Sequence, residues 1–348
     1  MAAQKDIAHP TKMPSAIFLD SGGVINDNAQ RGPQWIRYLG EFLPTTVLGG
    51  DAQIWGQANA QIVRPFFSRW REYMAQAEDL AAKAQAKATQ EQEQGQEGNA
   101  RETTEDEQAK ATNVCWIFER LRLLIWIKEM CRVAGPYVPG LESKILLSLS
   151  DDELFEIARS AHLYAIQRVK AAFPGAVETI RKLSANRYPS TGLGRGCKLY
   201  ISSADSFEDL EHILKGLDVF ECFDDIYGSD RVNCLKTSPQ YFQRVFARVG
   251  VHPVTRDNFS GQVIARVAET GADVEEVEER DEVVVLDDNI EALKYARAVG
   301  ARTVLVTSGE MVDLSLEEFW HVDYQIQSLS ELPDLLESWK IHLAGQVV

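Results

Sequence analysis

The stretch Ala16-Ile17-Phe18-Leu19-Asp20-Ser21-Gly22-Gly23 decides the fold. Four apolar residues in succession, with no polar alternation, describe a strand buried on both faces, as in the middle of a parallel sheet. The run stops at a carboxylate and then at a small-residue, glycine-rich turn. Ligand sites in open parallel sheets lie beyond the carboxyl ends of strands, so Asp20 stands where chemistry is done. Outward from it the pattern recurs. Leu199-Tyr200-Ile201 ends at Ser202-Ser203, Val283-Val284-Val285-Leu286 ends at Asp287-Asp288, and Lys236-Thr237-Ser238-Pro239 opens a helix. Further strands are expected at Thr303–Val306, near Ile226-Tyr227 and at Tyr324-Gln325-Ile326. Helices are expected over 176–183, 208–217, 290–299 (closed by Gly300) and 332–339. Strands alternating with helices predict the α/β class. The core is a doubly wound parallel sheet, Rossmann-like, made from residues 14–30 and 173–340.

Residues 31–172 interrupt that core and read as helices. Ile54, Trp55, Ala58, Ile62, Phe66, Phe67, Trp70, Tyr73 and Met74 follow a helical period, with Pro65 expected to kink or divide it. A second helix is expected over 114–133. A third is expected over 151–172, with Ser150 as N-cap and Glu153 completing a capping box. Between the first two, residues 76–112 are rich in Ala, Gln, Glu and Lys, and Leu80 is their one large apolar residue. Such a segment reads as a solvated insertion, helical at its start and disordered around 95–98. A protein partner could dock there, but nothing in the sequence supports one. Residues 257–280 read as a second, acidic insertion.

Composition excludes several classes. The net charge of −16 over 348 residues leaves no basic footprint for nucleic acid or an anionic membrane. The most apolar stretch, 114–130, is broken by Glu119, Arg120, Arg122, Lys128 and Glu129, which argues against a membrane span. Cys115, Cys131, Cys197, Cys222 and Cys234 are odd in number and lack a CxxC spacing, so reduced thiols are expected. With no apolar leader in the first residues, the cytoplasm is the expected compartment. The six histidines form no zinc-binding spacing. The glycines of 192–196 precede a strand and lack the dinucleotide fingerprint. Arg64, Arg69 and Arg71 either meet a substrate anion or form surface ion pairs.

The strand-end groups suit phosphoryl chemistry. Asp20 can attack phosphorus, splitting one hard step into two easier ones. Mg2+ prefers oxygen ligands and keeps several waters, so Asp20, a backbone carbonyl near Gly22, and Asp287 or Asp288 suffice to hold it. Ser202 can hydrogen-bond a phosphoryl oxygen, and Lys236 supplies positive charge beside Asp20.

These residues resemble the motifs of the haloacid dehalogenase superfamily. AIFLDSGGVI, residues 16–25, is similar to its nucleophile motif. LYISSAD, LKTSPQYF and VVVLDDN are similar to its second, third and fourth motifs. The resemblance covers roughly residues 14–30 and 172–340. It makes 31–172 a helical cap that would close over the site and choose the substrate. It implies catalytic roles for Asp20, Ser202 and Lys236, phosphate binding by Ser202, Ser203, Lys236 and Gly23, and Mg2+ held by Asp20, the Gly22 carbonyl, Asp287 and Asp288. The implied function is a magnesium-dependent phosphatase acting on a small phosphorylated metabolite.

One departure stands out. Phosphatases of that superfamily usually carry a second Asp two residues after the nucleophile, where this chain has Gly22. That carboxylate does acid–base work typically worth ~10²–10⁴-fold. Asp27 is the nearest other carboxylate, and a turn role is expected for it. The alternatives are a dehalogenase-type or phosphomutase activity on the same site, or a catalytically weak binding or regulatory protein.

Overall fold

The computed structural model describes residues 10, 12–93, 105–185, 196–253, 282–309 and 312–345. The acidic insertion, the centre of the 76–112 segment and nearly all of the 192–196 glycine loop lie outside them. In chain order the elements begin with β1 (Ala16–Leu19), α1 (Asn28–Phe42), α2 (Ala52–Ser68), α3 (Trp70–Glu93), α4 (Glu105–Thr112), α5 (Val114–Ala134), α6 (Leu141–Leu147), α7 (Asp151–Ile166) and α8 (Ala176–Ala185). They continue with β2 (Lys198–Ser202), α9 (Phe207–Gly216), β3 (Asp225–Tyr227), α10 (Ser229–Val232), α11 (Pro239–Val249), β4 (Val283–Asp287), α12 (Ile290–Ala298), β5 (Arg302–Val306), α13 (Leu316–Phe319), β6 (Tyr324–Ile326) and α14 (Leu332–Gly345).

Two compact units result. One comprises the described residues of Met1–Asn28, Ala171–Gly228 and Leu235–Val348. It is built on a six-stranded sheet of order β3-β2-β1-β4-β5-β6, parallel at every pairing. This is the α/β fold expected from the strand pattern. Side chains alternate across the sheet. Ile17, Leu19, Leu199, Ile201, Val284, Leu286, Val304 and Val306 join one buried cluster with Ile180, Leu210, Leu214 and Trp339 from α8, α9 and α14. On the opposite face Phe18 stacks on Tyr200 at 4.8 Å and meets Phe246 of α11 at 5.1 Å. Both faces are covered, which is why the strands read as unbroken apolar runs.

The chain builds outward from β1 to β2 and β3, then crosses back to β4, β5 and β6. The crevice at that reversal, between the ends of β1 and β4, is where open sheets hold ligands. Register places the functional residues there. Leu19 pairs with Ile201 on one side and with Leu286 on the other, so Asp20, Ser202 and Asp287 share one level.

The second unit is Ala29–Lys170 with Ser229–Cys234 and is helical. Asn113 caps α5, Asp51 caps α2, and Ser150 with Glu153 closes the expected capping box on α7. Pro65 does not divide its helix. It lies inside α2, and the break comes at Arg69, whose N–H turns back to Phe66 and Phe67. The helix of 151–172 is shorter than its pattern suggests and stops at Ile166. Residues 171–173 are taken up otherwise: Ala171 accepts from the Asp27 N–H at 2.7 Å, and Phe173 donates to Ile25 at 2.9 Å. The 76–112 segment is not wholly solvated either. Ala77 and Ala81 are buried along α3, while Leu80 is exposed. Arg69 pairs with Glu72 at 2.9 Å, and the Arg71 guanidinium lies over the Trp70 ring.

None of the five cysteines, all of them among the described residues, is in a disulfide. Among the described residues no helix is long and apolar enough to cross a membrane.

At the start of the strands a buried pair joins Arg302 Nε to Glu282 at 2.7 Å. Removing one partner strands the other charge in the core, typically at a cost of about 3–5 kcal/mol. Glu282→Ala is therefore expected to lower the urea midpoint of this unit with its m-value unchanged.

Candidate active site

Asp20 follows β1 directly and continues its ladder, with its N–H donating to the Leu286 carbonyl at 3.0 Å. Asp287 is the last residue of β4. Lys236 precedes α11 and reaches both. Its Nζ lies 2.8 Å from Asp20 Oδ1 and 2.5 Å from Asp287 Oδ2, and it donates to the Ser202 carbonyl at 2.7 Å. One ammonium thus ties the ends of β1, β2 and β4 together. Tyr241, one turn into α11, adds a second tie. Its hydroxyl is shared between the Ser203 carbonyl at 3.0 Å and the Tyr227 carbonyl at 2.8 Å. The segment that presents Lys236 is thereby fastened to the exits of β2 and β3.

Asp288 completes an acidic group. One carboxylate oxygen from each of Asp20, Asp287 and Asp288 lies within 4.8 Å of the others. The three differ in how their oxygens are used. Asp287 Oδ1 accepts the Asn289 N–H at 2.9 Å, while Oδ2 is in ion-pair contact with Lys236 without a well-aligned hydrogen bond. Asp20 gives Oδ1 to Lys236, and Oδ2 stays outside that pair. Asp288 is exposed. Ser202 is fully buried, and its hydroxyl has no hydrogen-bond partner among the described residues. A buried hydroxyl without a partner is costly and marks a place where a ligand could complete the set.

The turn after Asp20 is shaped by its glycines. Gly23 has φ +74°, and a Cβ built on it would lie 1.9 Å from Asp288 Oδ2, so only glycine permits this approach. A Cβ on Gly22 would meet the Asn28 carboxamide at 3.3 Å. Gly23 donates to the Asn26 carbonyl at 2.8 Å and accepts from the Ser308 hydroxyl at 2.7 Å. Asp27 lies at the end of this turn, before α1. The sequence motifs did not single out Ser308, or Asp205, whose charge adds to the repulsion on Asp20.

The electrostatics are those of a site short of positive charge. Burial pushes the Asp20 carboxyl up to about 7. Lys236 opposes that shift, and Asp287 and Asp205 add to it. Burial likewise raises Asp287, against the pull of Lys236 and the Asn289 N–H. Asp288, although the residue as a whole reaches solvent, has its carboxyl raised by partial desolvation against its neighbours and then by the charge of Asp20. Burial would lower Lys236, but the charges of Asp20 and Asp287 outweigh it and hold the ammonium above its ordinary range.

A family model for haloacid dehalogenase-like hydrolases matches residues 14–255, more than half of the chain. The chain belongs to this family of hydrolases. Similar solved structures include the HAD-hydrolase YfnB of Bacillus subtilis bound to magnesium, at 14% identity over 93% of this chain and 99% of that one, with a TM-score of 0.45. An L-2-haloacid dehalogenase from Xanthobacter autotrophicus matches at 13% identity, 93% and 99% coverage and a TM-score of 0.43. A predicted phosphoglycolate phosphatase from Haemophilus somnus matches at 11% identity, 94% and 99% coverage and a TM-score of 0.43. No curated protein matches the chain. Family membership rests on the family model alone.

The raised Asp20 carboxyl has a sign that solution measurements can read. The folded chain holds this proton more tightly than the unfolded chain, so stability falls as pH rises from the ordinary 3.8 through about 7. Asp287 and Asp288 act in the same direction. In chelator-treated protein the thermal midpoint is expected to drop by a few degrees between about pH 5 and pH 8, and Asp20→Asn to flatten that drop. A native midpoint that rises over the same range would contradict the assignment.

Proposed function

We propose that this hydrolase is a magnesium-dependent phosphatase that acts on a small phosphorylated metabolite through Asp20. The observation that carries the reading is the meeting of three carboxylates, one buried ammonium and one partnerless hydroxyl at the ends of β1, β2 and β4.

Asp20 Oδ2, the oxygen not held by Lys236, attacks phosphorus. The bond to the leaving oxygen breaks with its electron pair, and an aspartyl phosphate forms. Water then attacks that phosphorus, the bond to Asp20 breaks, and phosphate departs. Lys236 holds Asp20 Oδ1 and so orients the nucleophile while keeping it charged. The Ser202 and Ser203 hydroxyls are suited to binding phosphoryl oxygens, whereas Gly23, expected to help, has its N–H already given to the Asn26 carbonyl. Gly22 has no side chain with which to protonate the leaving oxygen or activate water. The reading therefore favours substrates whose leaving group departs without help from this position.

The donor set fits a hard divalent cation: oxygen atoms only, three of them carboxylate, in surroundings that push each carboxyl up. Asp20, Asp288 and the Gly22 carbonyl are the proposed protein ligands. Asp287 is the less available of the adjacent pair because it is buried, with one oxygen taking the Asn289 N–H and the other ion-paired with Lys236. Bound Mg2+ would neutralise the carboxylates and let a phosphate dianion approach.

Phosphate release from an aryl phosphate and a metabolite panel tests the reaction. Release is expected to require Mg2+, to vanish in Asp20→Asn and to fall about 10²–10³-fold in Lys236→Met. Metal-independent halide release from halo-acids that still needs Asp20 would replace this reading with a dehalogenase. A second test needs no turnover. Mg2+ is expected to raise the thermal midpoint more at about pH 8 than at pH 5, because protons and the cation compete for the same carboxylates. Folded protein that stabilises with Mg2+ but turns over neither class would point to a binding module.

A further inference from the structure

The turn that follows Asp20 is gripped by a residue outside the four motif segments. Ser308 lies two residues beyond β5 and donates its hydroxyl to the Gly23 carbonyl at 2.7 Å. Gly23 is buried and Ser308 is exposed, so the contact closes over the Gly23 carbonyl from the solvent side. Ser308 is held for this contact at φ +55°, a conformation disfavoured for a residue with a side chain. Its neighbours pin it there: Thr307 donates to the Ile326 carbonyl and Gly309 to the Gln327 carbonyl, each at 3.0 Å. Gly23 is thus constrained at two atoms. The Asp288 carboxylate lies against its Cα, leaving no room for a Cβ, and Ser308 holds its carbonyl.

We propose that Ser308 is a positioning residue. Through the Gly23 carbonyl it sets the separation of Asp20 and Asp288, and with it the affinity of the carboxylate group for a divalent cation. The inference rests on the cation-binding reading of the site. Ser308 touches no reacting atom. It acts through a backbone carbonyl three residues after the nucleophile.

Two variants separate the hydrogen bond from the backbone. Ser308→Ala deletes the hydroxyl and keeps the disfavoured φ. Ser308→Gly deletes the hydroxyl and is at ease at that φ. In calorimetric titration of the full chain with Mg2+ alone, both are expected to bind about five- to tenfold more weakly than the native protein, as befits one lost hydrogen bond to a buried carbonyl. Their stabilities are expected to diverge, with the thermal midpoint of the alanine variant falling and that of the glycine variant unchanged or higher. Unchanged affinity in both variants would overturn the proposal. So would a loss confined to the alanine variant, since affinity would then merely follow stability. Asp20→Asn and Asp288→Asn, titrated alongside, keep the site separate from Ser308. If the native protein binds Mg2+ and these two do not, the site stands whatever Ser308 does. If the native protein binds no Mg2+, the cation reading and this inference fall together.

Discussion

The ammonium of Lys236 stands between two carboxylates that could not both be charged and buried side by side without it. Asp20 and Asp287 end adjacent strands at one level, a consequence of the β1–β4 register. Burying either charge is costly, and burying both adds their repulsion. Lys236 offsets part of that cost from a third segment of the chain and fastens the Ser202 carbonyl of a fourth. Much of the unit serves this arrangement. The parallel sheet supplies level strand ends, and Tyr241 anchors the segment from which Lys236 reaches in.

The compensation is incomplete, and the proposed cation site depends on that. Burial outweighs the pull of Lys236, and the neighbouring carboxylates add to it, so the Asp20 carboxyl stays raised instead of falling into the usual carboxylate range. A site in this condition favours whatever brings further positive charge. The same imbalance explains how a chain with net charge −16 can be read as binding an anionic substrate. The sign of the whole molecule says little about a crevice in which a buried ammonium, and on the proposed reading a divalent cation, would set the local field. Lys236 is also selective in what it holds. By engaging both Asp287 and one oxygen of Asp20, it leaves Asp20 Oδ2 and Asp288 as the more available acidic groups, and adjacent aspartates acquire different work.

Much of this was legible in the sequence because it depends on short-range signals. Strands buried on both faces are mostly apolar, so β1, β2, β4 and β5 were visible as runs, and the first three ended at a polar residue that the structure brings to the crevice. The capping box of Ser150 and Glu153 was equally local. What the sequence hid depends on distant partners. The helical pattern continues past Ile166, but residues 171–173 bond to the turn after β1, and no local signal announces that competition. Pro65 is accommodated within α2 although its ring removes a donor. Ala77 and Ala81 find burial in a segment whose composition looks solvated. Nothing in the residues around Ser308 tells that its hydroxyl meets Gly23, because the two are 285 residues apart. The division of labour between Asp287 and Asp288 likewise needs coordinates, since it turns on which oxygen faces Lys236.

The central place of β1 has a consequence for how the molecule comes into being. Ala16 pairs with Lys198 on one side and with Val283 on the other. On a ribosome adding about 5–20 residues per second, the strand waits on the order of ten to forty seconds for its first neighbour, and longer for its second. Most of that interval is spent synthesising the helical unit, whose residues lie almost entirely within 29–170, and until it ends Ala16–Leu19 has no sheet to enter. The strand that leads to Asp20 is the earliest of the sheet to be made, and it gains its second neighbour only with β4. A nascent chain of this design must therefore carry an unpaired apolar edge through most of its own translation.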